Sequence, residues 1–436
     1  MKVLPRNKDT FLQTVLQVLP TDYQEQAYQQ GAFTRSRKLT SPAQLFELVM
    51  SYCCLDYSLR TCAGHMSANK TAALSDTAVM KRLLPCLPWL KCLLSSVLLN
   101  KLSKTPTNSP YRFLAIDAST VQVKAARSTS YRLHLAMDLI TLAQTQIKIT
   151  DAHQGENLSH YDLKANDVVL VDRGYNQPKT LVPFIERGGY IVLRYNPKGM
   201  TLYHPPQENS LLQRIDWVKE VSNVQGNSAC KEVMICYDNK LFKGYVHLSR
   251  LSKEHAEKAH REVKRSAQRQ QYTLSQNALT LADWMFVFTT LPPDVLETKM
   301  VMALYRTRWQ IELVFKRLKS LLSLTELRAK QGSRLAEIYL YGKLLYAAML
   351  ECYLSQYVNV QAYYLDNETN DRLETPWRWW PLFHQQFMAY FSIYLSPSNI
   401  PIQAIQKAMR ERKRKRKLQT IPNNLMKNLH KINNLL

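Results

Sequence analysis

The chain has 436 residues, of which 46% are hydrophobic, so it can bury a large core and is not a disordered tail. Lys and Arg number 58 against 34 Asp and Glu, a formal net charge of +24, which indicates a polyanionic partner such as a nucleic acid or an anionic membrane surface. The eight cysteines contain no C-x-x-C pair, which excludes a recognisable zinc site or disulfide framework. We interpret them as packing residues in a reducing cytosol.

No segment is predicted to cross or bind a membrane. The most apolar stretch, Leu335 to Leu354, contains two glutamates and a lysine, which favours a buried helix. The first twenty residues include basic side chains, but polar residues interrupt their apolar run, so a signal-peptide core is missing. We therefore expect a cytoplasmic protein.

Helical patterns fill residues 1–107. Ser41, followed by proline, is typical of a helix start and precedes the apolar-periodic run AQLFELVMSYCCL. Ser75 is a second candidate N-cap, before DTAVMKRLL. With SLRTCAGHM, this segment predicts two short helices joined by a polar turn. They form either a helix-turn-helix that presents Lys81 and Arg82 to DNA phosphates or an ordinary helical bundle.

Strand patterns begin near residue 110. YRFLAIDAST, YRLHLAMDLIT and TQIKITD predict three strands separated by polar turns. Residues 159–165 are predicted as a short helix, and DVVLVDRGY as a compact apolar strand. Three strands, a helix and a strand is the order of an RNase H-like α/β core. We assign its first part to residues 108–195.

The pattern changes again over residues 196–282, where short alternating stretches such as EVMICYD and LFKGYVHLS predict a β-rich insertion. The insertion also contains KEHAEKAHREVKRSAQRQQ at 253–271, which predicts a charged helix. The basic side chains of this helix either face DNA or form an ordinary solvated surface.

The core is predicted to resume over residues 283–356. WMFVFTTLP reads as a core strand, and a long amphipathic helix at 295–322 and an apolar helix near 333–356 follow it. The remaining residues, 357–436, are predicted as a helical C-terminal region with the basic run RERKRKRK at 410–417.

Three acidic residues lie in otherwise apolar segments. Asp117 is inside the strand FLAIDAST, Asp172 lies at the end of the strand in VVLVDRGY, and Glu312 is on the helix YRTRWQIELVFKRLK. A carboxylate in an apolar strand is costly unless it is paired or bound to metal. Three such acids can ligate a pair of Mg²⁺ ions, roughly 3.5–4 Å apart, that promote phosphoryl transfer.

A spaced set of residues surrounds the helical acid. Tyr305, Arg308, Glu312 and Lys319 follow the spacing Y-x2-R-x3-E-x6-K, which places all four on one helix face. An acid between two cations suits a site that binds metal through the acid and phosphates through the bases.

This pattern resembles the DDE transposases of bacterial insertion sequences, specifically the IS-four family with its YREK signature. IDAST and VDRGY are similar to the two aspartate motifs of the family, and RSRKLTSPAQLFELVMSY, SLRTCAGHM and FKRLKSLLSL are similar to its other segments. The resemblance covers most of the chain from about residue 30 to 355 and more weakly RKRKLQT near the end. It implies that the three acids are the catalytic ligands of two Mg²⁺ ions, with Mn²⁺ as an alternative.

The resemblance also implies how the protein acts on DNA. Tyr305, Arg308 and Lys319 would contact phosphates near the transposon end. The family cleaves by hydrolysis, and the freed 3′-hydroxyl attacks the other strand to give a hairpin, which is reopened and joined to target DNA. The implied partners are the double-stranded terminal inverted repeats and the target DNA, bound by a homodimer.

Four further residues each allow two interpretations. Trp284 either stacks on an unpaired base or packs at the junction with the insertion. Arg173 either reaches a phosphate or pairs with an acid. Glu156, in the turn GEN, is an accessory acid or a surface residue. Trp309 is expected either to be a core residue or to contact the side chains that form the site.

Three other functions compete with the transposase. His247 and Arg250 form an H-x-x-R that, with Tyr305, would fit a tyrosine recombinase, but the pair lies in the insertion and Tyr305 shares a helix with an acid. An RNase H-like nuclease without strand transfer would use the same carboxylates. A non-enzymatic DNA-binding protein derived from a transposase is the third alternative. The N-terminal region, the insertion and the intact triad favour the transposase.

Overall fold

The structure is a computed structural model, and it describes residues 16–69, 71–102, 111–122, 129–140, 143–207, 211–323, 327, 329–354 and 379–385. The basic run at 410–417, and most of the predicted C-terminal region around it, lie outside these residues.

Helices make up the described N-terminal region: α1 (Tyr23–Gln29), α2 (Pro42–Cys53), α3 (Leu59–Ala68), α4 (Asp76–Leu83) and α5 (Leu87–Leu102). The two predicted N-caps are confirmed. The hydroxyl of Ser41 accepts the N–H of Gln44 at 3.4 Å, and that of Ser75 accepts the N–H of Ala78 at 3.2 Å. Arg82 donates to the carbonyl of Arg35 at 3.2 Å, so one of the two predicted phosphate contacts has a partner inside the fold.

An eight-stranded sheet in the order β3-β2-β1-β4-β5-β8-β7-β6 organises the rest of the described chain. Its strands are β1 (Arg112–Val121), β2 (Tyr131–Asp138), β3 (Gln144–Asp151), β4 (Asp167–Val171), β5 (Tyr190–Arg194), β6 (Ser228–Tyr237), β7 (Lys240–Arg250) and β8 (Trp284–Thr289). β1, β4 and β5 are parallel, and the other pairs are antiparallel. The mixed α/β class is therefore confirmed, and the hairpin β6–β7 of the insertion extends the same sheet through β8.

The remaining helices are α6 (Pro178–Glu186), α7 (Trp217–Ser222), α8 (Lys253–Arg269), α9 (Gln276–Ala282), α10 (Thr298–Thr307), α11 (Trp309–Leu322) and α12 (Arg334–Leu354). α8 and α12 lie within two residues of their predicted bounds. The segment called β-rich thus contributes three helices as well as its hairpin.

The short helix predicted over residues 159–165 is wrong. The structure has a single 3-10 turn, Leu158–His160, followed by extended chain. The reason is that side chains take the backbone N–H groups that a helix would use. The N–H of Asp162 donates to Gln146 Oε1 at 2.8 Å, and that of Lys164 donates to Asp167 Oδ2 at 2.8 Å.

The long helix predicted over 295–322 is interrupted at Arg308. The N–H of Arg308 donates to the carbonyl of Tyr305 at 3.1 Å, and the N–H of Ile311 donates to that of Arg308 at 3.1 Å. Both are i to i−3 contacts, which tighten the chain locally. The hydroxyl of Thr307 also bonds the carbonyl of Leu304 at 2.7 Å and so competes with the helical pattern.

One hydrophobic cluster joins the N-terminal helices to the β1–β2 side of the sheet. It contains buried residues of α2 and α5, of β1 and β2, and of α11 and α12. Lys343 of α12 is buried in this region, and its ammonium donates to the carbonyl of Leu322 at 2.5 Å and pairs with Asp56 at 2.8 Å. The C-terminal end of α11 is thereby tied to the N-terminal region.

By length and composition, one helical run of the described chain, Asp76–Leu99, could cross a membrane. The structure divides this run into α4, a 3-10 turn and α5, and α5 packs against α12. Core helices satisfy the same length and composition test, so the run is weak support for a membrane span.

Candidate active site

Parallel pairing of β1 with β4 brings the two aspartates together. Ala115 of β1 lies beside Leu170 of β4 in the ladder. Continuing this register by two residues places Asp117 beside Asp172, which directly follows β4. Because side chains alternate along a strand, both carboxylates project on the same side of the sheet, level with the carboxyl end of β4.

Helix α11 supplies the third acid. Its buried positions include Ile311, Phe315 and Leu318, and the helix packs against β1. Glu312 follows Ile311 and keeps 56% of its side chain exposed, so it stands at the rim of the helix contact. The apolar spacing of α11 therefore places the glutamate at the sheet edge where the aspartates lie.

A single guanidinium touches all three acids. Arg308 Nη1 lies 3.1 Å from Asp117 Oδ2, Arg308 Nη2 lies 3.9 Å from Asp172 Oδ2, and the same nitrogen donates to Glu312 Oε1. The hydroxyl of Tyr305 links them further, since it accepts from Arg308 Nε at 3.2 Å and donates to Asp172 Oδ1 at 3.2 Å. Only 8% of the Arg308 side chain is exposed. The fold thus gathers these five predicted side chains into one cluster.

Burial and charge shift the protonation equilibria of this cluster. Burial raises the pKa of Asp117 to about 6, against the opposing effects of Arg308 and of the Ala118 N–H. Burial disfavours the charged form of Arg308, but Tyr305 and the carboxylates outweigh it and raise the pKa of the guanidinium. The arginine is therefore a permanent cation, and Asp117 titrates closer to neutral pH than an ordinary aspartate.

Buried tyrosines hold the two strand ends together. The hydroxyl of Tyr161 donates to the carbonyl of Asp117 at 3.1 Å and lies 3.1 Å from that of Tyr175. Tyr175 belongs to the turn that follows Asp172. The hydroxyl pair thus connects β1 to this turn and fixes the spacing of the aspartates.

Glu156 lies at the edge of the cluster. A Cβ at Gly174 would come within 1.4 Å of Glu156 Oε2, so only glycine leaves room for the glutamate in this position. Burial raises the pKa of Glu156, Arg132 at 3.5 Å lowers it, and Asp172 raises it. This placement favours the accessory acid over the surface residue.

A cleft opens on the Asp117 and Glu312 side of the cluster. It has a volume of about 520 Å³. Besides these two acids, it is lined by Ala118, Ser119, Phe315, Lys316, Lys319 and Ser320. Within the described residues Lys319 forms no ion pair, so its ammonium is available in a cleft bordered by carboxylates.

Arg173 and Arg194 form a second cationic group beside Asp172. Partial burial and the neighbouring Arg194 lower the pKa of Arg173, whereas Asp172 raises it. Neither arginine makes an ion pair with a carboxylate of the described chain, which favours the phosphate role for Arg173. Arg194 was missed in the sequence. Its position at the carboxyl end of β5, next to β4, is the signal that could have revealed it.

The structure favours one of the two predicted readings for Trp284 and excludes the core reading for Trp309. Trp284 is 9% exposed and packs in the second hydrophobic cluster, with the guanidinium of Arg250 5.9 Å from its ring, which favours packing over base stacking. Of the two predicted readings of Trp309, the core residue is wrong, since 51% of it is exposed. Trp309 lies two residues before the buried Ile311, which is 200° around a helix and therefore on the outer face.

The donor set matches what oxygen-seeking divalent ions require, since all three acids are carboxylates. Among the residues that the structure describes, no three His, Cys, Asp or Glu side chains are arranged to hold one ion directly. Arg308 lies between the carboxylates, so an ion could share them only after the guanidinium withdraws.

The transposase DDE domain family matches residues 108–347, more than half of the chain, from before β1 into α12. The chain belongs to this family. It is also 29% identical over 350 residues to InsL, named as a transposase of insertion sequence element IS186A of Escherichia coli strain K12, with 76% of this chain and 90% of the relative covered.

Two other relatives extend the comparison. The transposase for insertion sequence element IS421 of Escherichia coli is 28% identical over 351 residues, which cover 76% of this chain and 90% of the relative. The transposase for IS231B of Bacillus thuringiensis is 21% identical over 363 residues, 75% of each chain. The predicted resemblance to insertion-sequence transposases is confirmed. The protein is a DDE transposase. Enzymes of this family act on DNA and use divalent metal ions.

Proposed function

We propose that this transposase binds two Mg²⁺ ions with Asp117, Asp172 and Glu312 and uses them to excise its insertion sequence and join it to target DNA. The observation that carries the proposal is the contact of one buried guanidinium with all three carboxylates. The three acids come from β1, the end of β4 and α11, and all lie within 4 Å of the Arg308 guanidinium. They would repel one another unless a cation lay among them. The site is therefore built around positive charge.

When bound, a pair of divalent ions stabilises the attacking and leaving oxygens of a phosphoryl transfer, and Mn²⁺ can replace Mg²⁺ in such sites. The contribution of the protein is to present three carboxylates whose mutual positions are set by strand pairing and helix packing. Arg308 serves as the cation of the cluster until metal binds.

The cations of the site have separate roles in this proposal. Arg308 and Tyr305 turn from the carboxylates to a phosphate at the transposon end once metal neutralises the acids. Lys319 meets a backbone phosphate in the cleft, and Arg173 meets one on the Asp172 side. Each of these contacts positions the DNA without reading its sequence.

The further steps follow the scheme that the resemblance implies. A hydrolytic cut frees a 3′-hydroxyl, which attacks the opposite strand and closes a hairpin that is later reopened. Trp284 would have to leave its packed position to stack on the unpaired base of the hairpin. Helices α3 and α4 recognise the terminal inverted repeats, residues 1–107 form the DNA-binding region, and the DNA complex is a homodimer in the cytoplasm.

The test is to incubate the purified protein and Mg²⁺ with a labelled duplex that carries the terminal repeat bordering its own gene. Hairpin ends visible on a denaturing gel are the expected product. Reactions with a chelator and with a duplex of scrambled sequence are the controls. Linear double-strand breaks without hairpins would contradict the hairpin pathway, and no cleavage of the repeat would contradict the proposed activity.

A further inference from the structure

A row of cations runs along the outer face of helix α8 in the insertion. Lys258, Arg261, Arg265 and Arg269 are all exposed and follow one another at steps of three, four and four residues. At about 100° per residue, these steps confine the four side chains to a strip roughly 80° wide. We call these four residues the basic stripe.

The opposite face of α8 is fixed to the protein. Ala267 is buried, and Ala256, Ala259 and Val263 on the same side are partly buried. His260 Nε2 lies 2.8 Å from Asp283 Oδ1 and 3.2 Å from the carbonyl of Leu279. Because this face is anchored, the basic stripe points away from the protein in a defined direction.

Within the part of the chain that the structure describes, the cations of the basic stripe take part in no ion pair. None of them pairs with a carboxylate of the described chain, although Glu254, Glu257 and Glu262 are on the same helix. Elsewhere in the insertion, two lysines do pair with carboxylates. Lys231 lies 2.8 Å from Glu220, and Lys243 lies 2.9 Å from Glu232. Four exposed cations on one face of one helix, with no carboxylate of the described chain paired to them, favour an external anion over an ordinary solvated face.

The basic stripe lies near the carboxylates, on a different side from the cleft. His260 anchors α8 to Asp283, directly before β8, and β8 runs antiparallel to β5, so α8 is held at the carboxyl end of β5, next to the end of β4 that carries Asp172. The cleft with Lys316 and Lys319 opens on the Asp117 and Glu312 side and does not include Asp172. An uncut duplex whose phosphate lies at the acids must continue in both directions, so it needs a surface on each side.

We propose that the basic stripe binds the phosphate backbone of the duplex that flanks the insertion sequence, beyond the cleavage point. This inference rests on the proposed function, because it takes the carboxylate cluster as the place of cleavage. From Lys258 to Arg269 the stripe spans about 16 Å, close to half a helical turn of DNA at roughly 34 Å per turn. Its guanidinium groups suit phosphate oxygens, and the absence of apolar side chains in the stripe fits backbone contact without sequence readout.

The test compares two double variants that lose the same charge from the same helix. Arg261→Gln/Arg265→Gln removes the centre of the stripe. Lys253→Gln/Lys264→Gln is the matched control, since these exposed lysines lie roughly 100° around the helix from the stripe. All four positions are exposed, and circular dichroism checks that both variants fold. Binding is measured over a salt titration with two probes, a terminal-repeat duplex with about two helical turns of flank, some 20 base pairs, and the same duplex ending at the cleavage point.

With the flanked probe, the stripe variant should lose about two units of salt slope, at about 0.9 per phosphate contact, while the control keeps the wild-type slope. With the truncated probe, both variants should match the wild type. An unchanged slope on the flanked probe, an equal loss on both probes, or an equal loss in the control would overturn the proposal. So would a stripe variant that binds the flank normally but captures less target DNA in strand transfer. Asp117→Asn, tested for cleavage in parallel, reports on the carboxylate site independently of flank binding.

Discussion

The carboxylate cluster and helix α8 handle charge in opposite ways. In the cluster, Arg308 is buried, and three acids and a tyrosine hydroxyl surround it. On α8, four cations are exposed, and none pairs with an acid of the described chain. A buried charge needs partners inside the fold, because leaving it unpaired costs several kcal/mol. An exposed unpaired cation costs little and is free to bind a partner. Arginine therefore fixes the geometry of the carboxylate cluster, whereas on α8 it is available to bind a partner outside the fold.

The largest expected effect concerns the three acids. Asp117→Asn, Asp172→Asn and Glu312→Gln should each reduce cleavage to the background of the assay, because each removes a metal ligand while keeping the side-chain shape. Binding of the terminal repeat should stay close to wild type, since the DNA contacts lie on other residues. Cleavage and binding are measured on the same labelled duplex. Robust cutting by any one variant would remove that residue from the site.

Removing the central cation should cost stability. Arg308→Ala leaves Asp117, whose side chain is only 18% exposed, without its ion-pair partner. We expect the free energy of unfolding in chelator to fall by about 3 kcal/mol or more, as when one partner of a buried pair is lost. Urea titrations measure this change. Arg306→Ala, two residues away and exposed, is the matched control and should be nearly neutral. Equal losses in the two variants would contradict the contrast between paired and unpaired arginines.

A buried histidine that pairs with no acid of the described residues gives a smaller effect that depends on pH. His247 on β7 contacts Thr298 Oγ1 at 2.9 Å, and burial lowers its pKa to about 4. Since the unfolded value is about 6.5, neutral His247 contributes fully above that pH, and its contribution is lost as pH falls towards 4. Between pH 7 and 5, the wild type should lose about 2 kcal/mol more than His247→Gln. The exposed control His255→Gln should show the same dependence of unfolding free energy on pH as the wild type. If wild type and His247→Gln instead gave parallel curves, the lowered pKa of His247 would be refuted.

The smallest effect distinguishes Lys319, which we propose binds a DNA phosphate, from Arg308, which pairs with the carboxylates. Lys319 lines the cleft and makes no ion pair within the described chain, so Lys319→Ala should flatten the salt dependence of end binding by about one unit of slope. Stability without DNA should hardly change. Lys299→Ala, exposed on α10 and outside the cleft lining, should keep the wild-type slope. An unchanged slope in Lys319→Ala would place the phosphate contact elsewhere.

Local signals predicted much of the fold. The caps at Ser41 and Ser75 and the strand patterns around Asp117 and Asp172 depend on nearby residues, and the structure contains the corresponding elements. The helix over 159–165 failed because its N–H groups are bound by Gln146 and Asp167, which lie outside the segment. Such contacts cannot be read from the periodicity of a segment.

Local patterns likewise predicted only part of the candidate site. The spacing Y-x2-R-x3-E-x6-K predicted that Arg308 and Glu312 share a face, but not that the arginine would be buried among all three acids. That placement depends on the register of β1 with β4 and on the tight turn at Arg308. The exposure of Trp309 could have been predicted from its two-residue offset to Ile311. The pairing of Glu156 with Gly174 could not, since it joins two loops.

The central claim is that Asp172 and its two partners hold the metal ions, and ligand exchange tests it most directly. Asp172→Cys presents a thiolate, which is a poor ligand for Mg²⁺ and a better one for the softer Mn²⁺. We predict that Asp172→Cys fails to cleave the terminal repeat in Mg²⁺ and regains part of its activity in Mn²⁺, whereas Asp172→Asn stays inactive in both. Efficient cleavage in Mg²⁺ by the cysteine variant would contradict the account, because the reaction would then not need a carboxylate at this position.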